Sequence, residues 1–266
     1  RIYRMHAKDA KPIKPFDLKK YSNTELIMEL ANPNKWFRQT AQRLLADRRD
    51  PKIIPTLKGL VKANGDQLAL EAFWAINHSG GFTAEYARET LNHPHPYVRF
   101  WTIRLLGDGH LMNADLRAQL TALAGSEGNA EVRSCLAASC KRWPANDSFP
   151  ILAQLIRREE DVNDKHIPLL LWWALEDKST SDLTELVKLL RDQELWKTPM
   201  MQQHLLPRIA QRYGAEPIGP NLAMAGALFS LAPTAADKDR LVNGLEAGLK
   251  GGSAEEPPLI LRKEVK

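Results

Sequence analysis

Three arginines recur at one place in a repeated pattern, and their chemistry suits the binding of an anionic partner. Each arginine ends a three-residue motif: Trp36-Phe37-Arg38, Tyr97-Val98-Arg99 and Glu131-Val132-Arg133. A guanidinium group presents a fork of N–H donors that matches carboxylates and phosphates. Because stacked repeats align equivalent positions, the pattern predicts a partner-binding ladder of Arg38, Arg99 and Arg133. In the alternative arrangement, each arginine pairs with an acidic residue or with helix C-terminal carbonyl groups of an adjacent repeat.

A pair of tryptophans followed by an aspartate is the second feature with possible chemistry. Trp173 and Asp177 are four residues apart, and Trp172 precedes them. HEAT-like DNA glycosylases also use tryptophans and an aspartate one turn apart, so a nucleic-acid enzyme of this kind is the alternative function. Residues 169–175 are, however, apolar on every side of a helix, which indicates that the tryptophan pair packs in the core.

The motifs that usually mark enzymes and metal sites do not occur in this sequence. There is no HExxH, CxxC, CxxCH or GxSxG motif, no glycine loop for phosphate and no acidic cluster with ligand spacing. Cys135 and Cys140 would differ by about 7.5 Å in rise and about 140° in azimuth on one helix, which suits buried thiols better than a disulfide. We therefore predict no catalytic residue, no metal and no cofactor. A cofactor-handling HEAT protein such as a lyase would need a polar pocket.

The net charge of +5 is concentrated at one end of the chain. The first twenty residues contain seven basic and two acidic side chains, whereas the other 246 residues contain 30 of each. A neutral body disfavours a nucleic-acid partner, because binding to nucleic acid depends on cations that neutralise phosphates. The longest apolar run, residues 167–175, is too short to span a bilayer, so no membrane span is predicted.

The elements that must position these residues are short helices in a repeat of two. The anchor positions 38, 69, 99 and 133 lie 30 to 34 residues apart, which is the length of two helices and two turns. Each unit has an amphipathic helix, a break rich in Asn, Gly, Asp or Pro, and a second helix with a small central residue such as Ala41, Ala72 or Ala138. This repeated order of helix, break and helix predicts an all-α, right-handed α-solenoid of about seven HEAT-like helix pairs. We expect at least about 60% helix, no sheet, and second helices lining the concave side.

Composition divides the chain into three parts. Residues 1–20 are predicted to form a basic extended tail and residues 21–250 the HEAT-like solenoid. Residues 251–266 begin with a Gly-, Ser-, Glu- and Pro-rich stretch and are predicted to be a linker-like segment.

Several longer motifs resemble one family of multidomain proteins. They are Arg1-Ile2-Tyr3-Arg4, which looks like the last strand of a β-propeller, Pro15-Phe16-Asp17-Leu18, the stretch from Asn32 to Arg38, and the stretch from His166 to Glu176. In this order they are similar to the middle region of large bacterial PVC-type haem-binding proteins, in which a sugar-dehydrogenase-like propeller is joined to HEAT repeats and a C-terminal cytochrome c domain. The resemblance implies an exported or periplasmic protein, of which this chain, starting at Arg1 without an initiator Met, is an excised piece. No functional residue of the family falls within the matched motifs.

These observations together predict a non-catalytic interaction or spacer module. Its expected partner is another protein or the neighbouring domains of the same chain.

Overall fold

The protein is all-α and solenoid-like, with helices that pack against their neighbours in sequence order. The computed structural model describes Asp9 and residues 16–251; 75% of the chain is helical, and the described residues contain no strand. The predicted fold class and the predicted helix content are confirmed. The predicted strand at residues 1–5 and residues 252–266 of the predicted linker lie outside the described residues.

The chain divides into two compact units, residues 1–82 and 83–266. The described helices of the first unit are α1 (Asn23–Glu29), α2 (Lys35–Arg48), α3 (Ile54–Ala63) and α4 (Gln67–His78), with 3₁₀ turns at Leu18–Lys20 and Pro51–Ile53. Helix α2 packs on α1 and α4, and α3 packs on α4. The two second helices of this unit, α2 and α4, are therefore direct neighbours.

Residues 16–20, which the sequence assigns to the end of the tail, lie against α2. The side chain of Leu18 is buried, and the 3₁₀ turn that it begins is capped by the carboxylate of Asp17. The ring of Phe16 stacks on Phe37 with centroids 5.2 Å apart.

The second unit contains the remaining helices in two layers. They are α5 (Ala84–Thr90), α6 (Pro96–Asp108), α7 (Ala114–Ser126), α8 (Ala130–Cys140), α9 (Ala145–Ile156), α10 (Ile167–Glu176), α11 (Leu183–Leu190), α12 (Gln193–Trp196), α13 (Leu206–Ala215), α14 (Gly219–Leu231) and α15 (Ala235–Gly251). A 3₁₀ turn at Glu159–Asp161 precedes α10, and a π-helical turn at Met201–Leu205 leads into α13. The first helices α5, α7, α9, α11 and α14 pack in succession, and so do the second helices α6, α8, α10, α13 and α15. With the first unit, the described residues form seven helix pairs and the short α12, as the repeat predicted.

The breaks between the two helices of a pair mostly supply the predicted caps. The side chains of Asn34, Asp66 and Asn129 accept hydrogen bonds from the first backbone N–H groups of α2, α4 and α8. Helix α6 is different, because it begins with Pro96 and His95 gives no side-chain cap.

The predicted anchor Ala69 keeps the repeat register of the buried core. Ala72, Phe73, Ala75 and Ile76 are buried, 31 residues after the buried side chains of Ala41, Gln42, Leu44 and Leu45. Arg38, Arg99 and Arg133 are each the fourth residue of their helix, and Ala69 is the third residue of α4.

Helices α6, α8 and α10 have their C-terminal ends side by side, with α8 in the middle. His110 Nδ1, just after α6, lies 3.1 Å from the carbonyl oxygen of Arg142, just after α8. The ammonium group of Lys178, just after α10, donates to the carbonyl oxygen of Lys141 at 3.1 Å. Arg99 and Arg133 join the N-terminal ends of the same helices.

Candidate interaction surface

Arg38 joins the two helix pairs of the first unit. Its Nε donates to the Glu71 carboxylate at 2.7 Å, and its Nη1 donates to the carbonyl oxygens of Asn32 and Pro33 at 2.9 and 3.0 Å. Glu71 lies in α4 and also accepts hydrogen bonds from the side-chain amides of Gln67 and Gln42. The guanidinium group therefore links the loop before α2 to the following second helix.

Arg99 and Arg133 also link neighbouring repeats, in the second unit, and their carboxylate partners are closer in sequence than Glu71 is to Arg38. Each donates through Nε and Nη2 to both oxygens of a carboxylate 28 residues further on, at 2.7 Å for Glu127 and at 2.6 and 2.5 Å for Asp161. Each also donates through Nη1 to the loop before its own helix, at His93 for Arg99 and at Glu127 for Arg133. These arginine clamps fix the N-terminal ends of α6, α8 and α10 beside one another.

Glu127 is the residue on which the clamps converge. Its carboxylate accepts from Arg99 and from the backbone N–H of Asn129, and its carbonyl oxygen accepts from Arg133 and Arg158. Burial alone would raise the pKa of this carboxyl, but the hydrogen bonds from Arg99 and Asn129 and the nearby guanidinium charges hold its pKa below the usual value of 4.5. Glu127 is therefore ionised and is an anionic centre inside the fold.

The predicted ladder residues are thus occupied within the protein. The side chains of Arg38, Arg99 and Arg133 are 15%, 16% and 5% exposed, and each is paired with a carboxylate of the next repeat. This is the alternative arrangement that the sequence left open. Hydrogen bonding to the Asp161 carboxylate raises the pKa of Arg133 further. Binding of a partner by these three residues stays a prediction.

A different set of residues on the second helices points to solvent. On α6, α8 and α10 the partly or fully exposed positions follow helical spacing, and because the helices lie side by side, their exposed stripes form one surface. We call this surface the aromatic face and define it by its apolar and small members: Tyr97, Phe100, Trp101, Ser134, Ala138, Leu169 and Trp173.

Large rings flank a middle stripe of small side chains on the aromatic face. On α6 the ring centroids of Tyr97 and Phe100 are 6.4 Å apart, and those of Phe100 and Trp101 are 6.0 Å apart. On α10, Trp173 is 44% exposed, as much as Tyr97 on α6. Between them, α8 presents only Ser134 and Ala138 at the centre of its exposed stripe. The face therefore has a low middle and two aromatic sides.

The tryptophan pair on α10 does not behave as one unit. Trp172 is 9% exposed and belongs to the core, which confirms half of the prediction. The prediction was wrong for Trp173, and Leu169 is exposed on the same side of the helix. The absence of a polar face predicts a helix packed on most sides, and α10 leaves the side of Leu169 and Trp173 open to solvent.

The remaining candidate groups have roles within the fold. The Asp177 carboxylate, four residues after Trp173, accepts from the buried ammonium group of Lys178 at 3.0 Å. Cys135 and Cys140 are both buried and free, as the sequence predicted, and burial raises the pKa of Cys135 to about 12 and that of Cys140 further. Both thiols are therefore protonated and unreactive at neutral pH.

The described part of the chain has neither a cluster of metal ligands nor a helix that could span a membrane. No group of three or more His, Cys, Asp or Glu residues in that part could hold a metal ion. Every helix there is too short or too polar to cross a bilayer.

Sequence reasoning missed most of the aromatic face. Tyr97 was visible in the repeat motif, two residues before Arg99, but it was considered only as a marker of the repeat. The sequence signal for the face is the helical spacing of Tyr97, Trp101 and Arg104. This spacing puts the three residues on one side of α6, away from its buried positions.

Comparison of the chain with protein-family models, with curated proteins and with solved structures finds no match. The class of the protein is therefore given by its fold, an all-α solenoid-like stack of helix pairs.

Proposed function

We propose that this chain is a non-catalytic protein-interaction module and that the aromatic face is its docking surface. The observation that supports the proposal is the exposure of Tyr97 on α6 and of Leu169 and Trp173 on α10, at 44%, 38% and 44%, on the two helices that flank α8 in one layer. Contiguous exposed apolar surface is uncommon on soluble proteins and usually marks an interaction site. Tyrosine and tryptophan are also the side chains that most often dominate binding energy at protein interfaces.

Charge favours a protein over a nucleic acid as the partner of this face. Residues 83–251 contain 19 basic and 21 acidic side chains. Arg99, Arg104 and Arg133, on the helices of the face, have carboxylates as partners, and the exposed Lys141 stands at one end of it. A phosphate backbone would need cations that are available at the surface.

We also propose, from the motif resemblance, that the helix pairs are HEAT-like repeats of a larger exported protein. In that arrangement the chain would join a propeller domain to a cytochrome c domain, and one of those neighbours could occupy the aromatic face. The sequence of the complete gene tests this, since it should encode a propeller before the chain and a CxxCH motif after it.

Site-specific photo-crosslinking tests the docking surface. A photoreactive amino acid is placed at Ala138, in the middle of the face, in the natural full-length protein and in cells that produce it. The matched control places it at Ala122, an exposed alanine on α7 of the other layer. We expect discrete adducts, either to another protein or to another domain of the same chain, from position 138 and not from position 122. Equal or absent adducts at both positions would contradict the proposal.

A further inference from the structure

We infer that the occupant of the aromatic face is an amphipathic α-helix that lies over α8, antiparallel to it, with an acidic residue in its first turn and a basic residue about ten positions later. The inference rests on the proposed docking function of this surface and names the chemistry of the partner.

The shape of the aromatic face fits a helix. Small side chains at Ser134 and Ala138 allow a partner to approach α8 closely, and the rings of Trp101 and Trp173 stand on the two flanking helices. Packed helix axes are about 8–10 Å apart, so α6 and α10 are separated by roughly 16–20 Å across α8. An α-helix with its side chains is about 10–12 Å wide and fits between the two aromatic sides.

Backbone hydrogen bonding favours a helix over an extended peptide. The face consists of side chains on three helices, and the described residues contain no strand whose edge could pair with an incoming chain. An extended peptide would hold its N–H and C=O groups against rings and methyl groups without partners, at a cost for each buried group. A helix satisfies its own backbone and presents only side chains, which is the helix-in-groove mode of recognition.

Two charges at the ends of the middle stripe set the direction of the partner. Glu131 and Lys141 are exposed at the two ends of α8 and form no ion pair with any described residue. Together with Ser134 and Ala138 they have the spacing of one helical stripe, about 15 Å long. A partner helix needs a basic residue opposite Glu131 and an acidic residue opposite Lys141.

The helix dipoles choose between the two directions. In the antiparallel arrangement the N-terminus of the partner lies near Lys141, so its acidic residue is in its first turn and its basic residue is in its last turn. Both positions are stabilised by the partner's own dipole, and the two antiparallel dipoles attract. In the parallel arrangement both charged residues would lie at the wrong ends of the partner helix.

A displayed library of helical peptides tests the inference on the whole chain. The library presents three- to four-turn helices of fixed alanine-rich background with randomised residues on one face. Selection is against the native chain, with counter-selection against the Ala138→Arg variant, which fills the middle of the face. Ala122→Arg on α7 is the matched control, because it adds the same charge and bulk to the other layer.

We expect enriched helices with apolar residues at three- and four-residue spacing, an acidic residue in the first turn and a basic residue in the last. Their binding, measured by fluorescence polarisation, should be lost with Ala138→Arg and kept with Ala122→Arg. Glu131→Lys and Lys141→Glu should each weaken binding about two- to five-fold, as for exposed charge pairs, and should reverse the preferred charge at the corresponding end.

Three outcomes would overturn the inference. They are enrichment of extended or proline-containing peptides, helices that bind Ala138→Arg as well as the native chain, and a dimer of the native chain that Ala138→Arg separates. Discrete crosslinks from position 138 alongside any of these would leave the docking function standing and remove only the helical partner. Absent crosslinks would remove the docking function itself.

Discussion

Removal of the Asp161 carboxylate should be the most damaging single change to the clamps. Arg133 and Asp161 are 5% and 2% exposed, and two short hydrogen bonds join the guanidinium group to both carboxylate oxygens. In Asp161→Ala the guanidinium group keeps its acceptor at the Glu127 carbonyl but loses the only carboxylate with which it forms an ion pair among the described residues. A buried guanidinium group is then left without its ion-pair partner.

The expected loss follows from that burial. Removing one partner of a buried ion pair costs about 3–5 kcal/mol, whereas an exposed pair contributes about 0–1 kcal/mol. Arg88 and Asp115 provide the exposed comparison, with side chains 53% and 65% exposed in the same unit and a similar separation of 2.9 Å. We expect Asp161→Ala to lower the free energy of unfolding by about 3–5 kcal/mol and Asp115→Ala by less than about 1 kcal/mol.

Urea denaturation at neutral pH, followed by far-ultraviolet circular dichroism, measures both losses. A double variant, Arg133→Met with Asp161→Leu, removes both charges and should recover much of the stability, because two apolar side chains leave no buried charge. A loss below about 1 kcal/mol in Asp161→Ala, or equal losses in Asp161→Ala and Asp115→Ala, would refute the clamp as a source of stability.

Two further predictions concern the tryptophan pair and the acid sensitivity of Glu127. Trp172→Ala should lower the free energy of unfolding by about 3–5 kcal/mol, as for a large buried aromatic, and Trp173→Ala by about 1 kcal/mol or less. Thermal melts of the two variants compare these losses. Equal losses would contradict the assignment of Trp173 to the surface. Because the folded-state pKa of Glu127 is lowered, its contribution to stability is fully present above the unfolded value near 4.5 and is lost as pH falls through the lower folded value. The melting temperature of the native chain, measured between pH 3 and 7 (roughly the carboxyl range and above), should fall on acidification. The melting temperature of Glu127→Gln should fall less steeply over the acidic part of this range. The same slope in both proteins would contradict the assignment of the acid sensitivity to Glu127.

The sequence was sufficient for the fold because the signals agree with one another. Apolar residues at helical spacing, breaks such as Asn34 and Asn129, and a motif that ends in an arginine recur at nearly the same interval. Each of these signals is local, and the packing of helix pairs on their neighbours follows from them. At Ala69, where no arginine is present, the apolar pattern alone gave the register, since Ala72, Ala75 and Ile76 are buried like Ala41, Leu44 and Leu45 one repeat earlier.

The clamp partners were not predicted because they depend on which acidic residue reaches which arginine. The chain has 32 acidic residues, and residue type alone does not indicate which of them lies near a given arginine. A signal was nevertheless present, since Glu127 and Asp161 each lie 28 residues after their arginine, and Glu71 lies 33 after Arg38. That interval is close to the repeat length, so an arginine and the acid one repeat later were reasonable partners.

The exposed side of α10 could not be predicted for a different reason. Periodicity identifies a buried face by contrast with a polar one, and residues 169–175 offer no contrast. The packing of α10 against α8, α13 and the π-helical turn encloses Trp172 and leaves Trp173 exposed, and such tertiary packing is not visible in the periodicity.

The arginine clamps and the aromatic face occupy the same helices at different positions, and this separates the residues that stabilise the fold from those of the proposed docking surface. On α6, Arg99 reaches into the fold while Tyr97, two residues earlier, is exposed, because successive positions two apart lie on different sides of a helix. The buried arginines hold the second helices in line, so the outward stripe can remain apolar without weakening the fold. A change at Asp161 should therefore lower the free energy of unfolding and weaken binding together. A change at Ala138 should abolish binding of a partner and leave the unfolding transition in place, and the proposed docking function requires this difference.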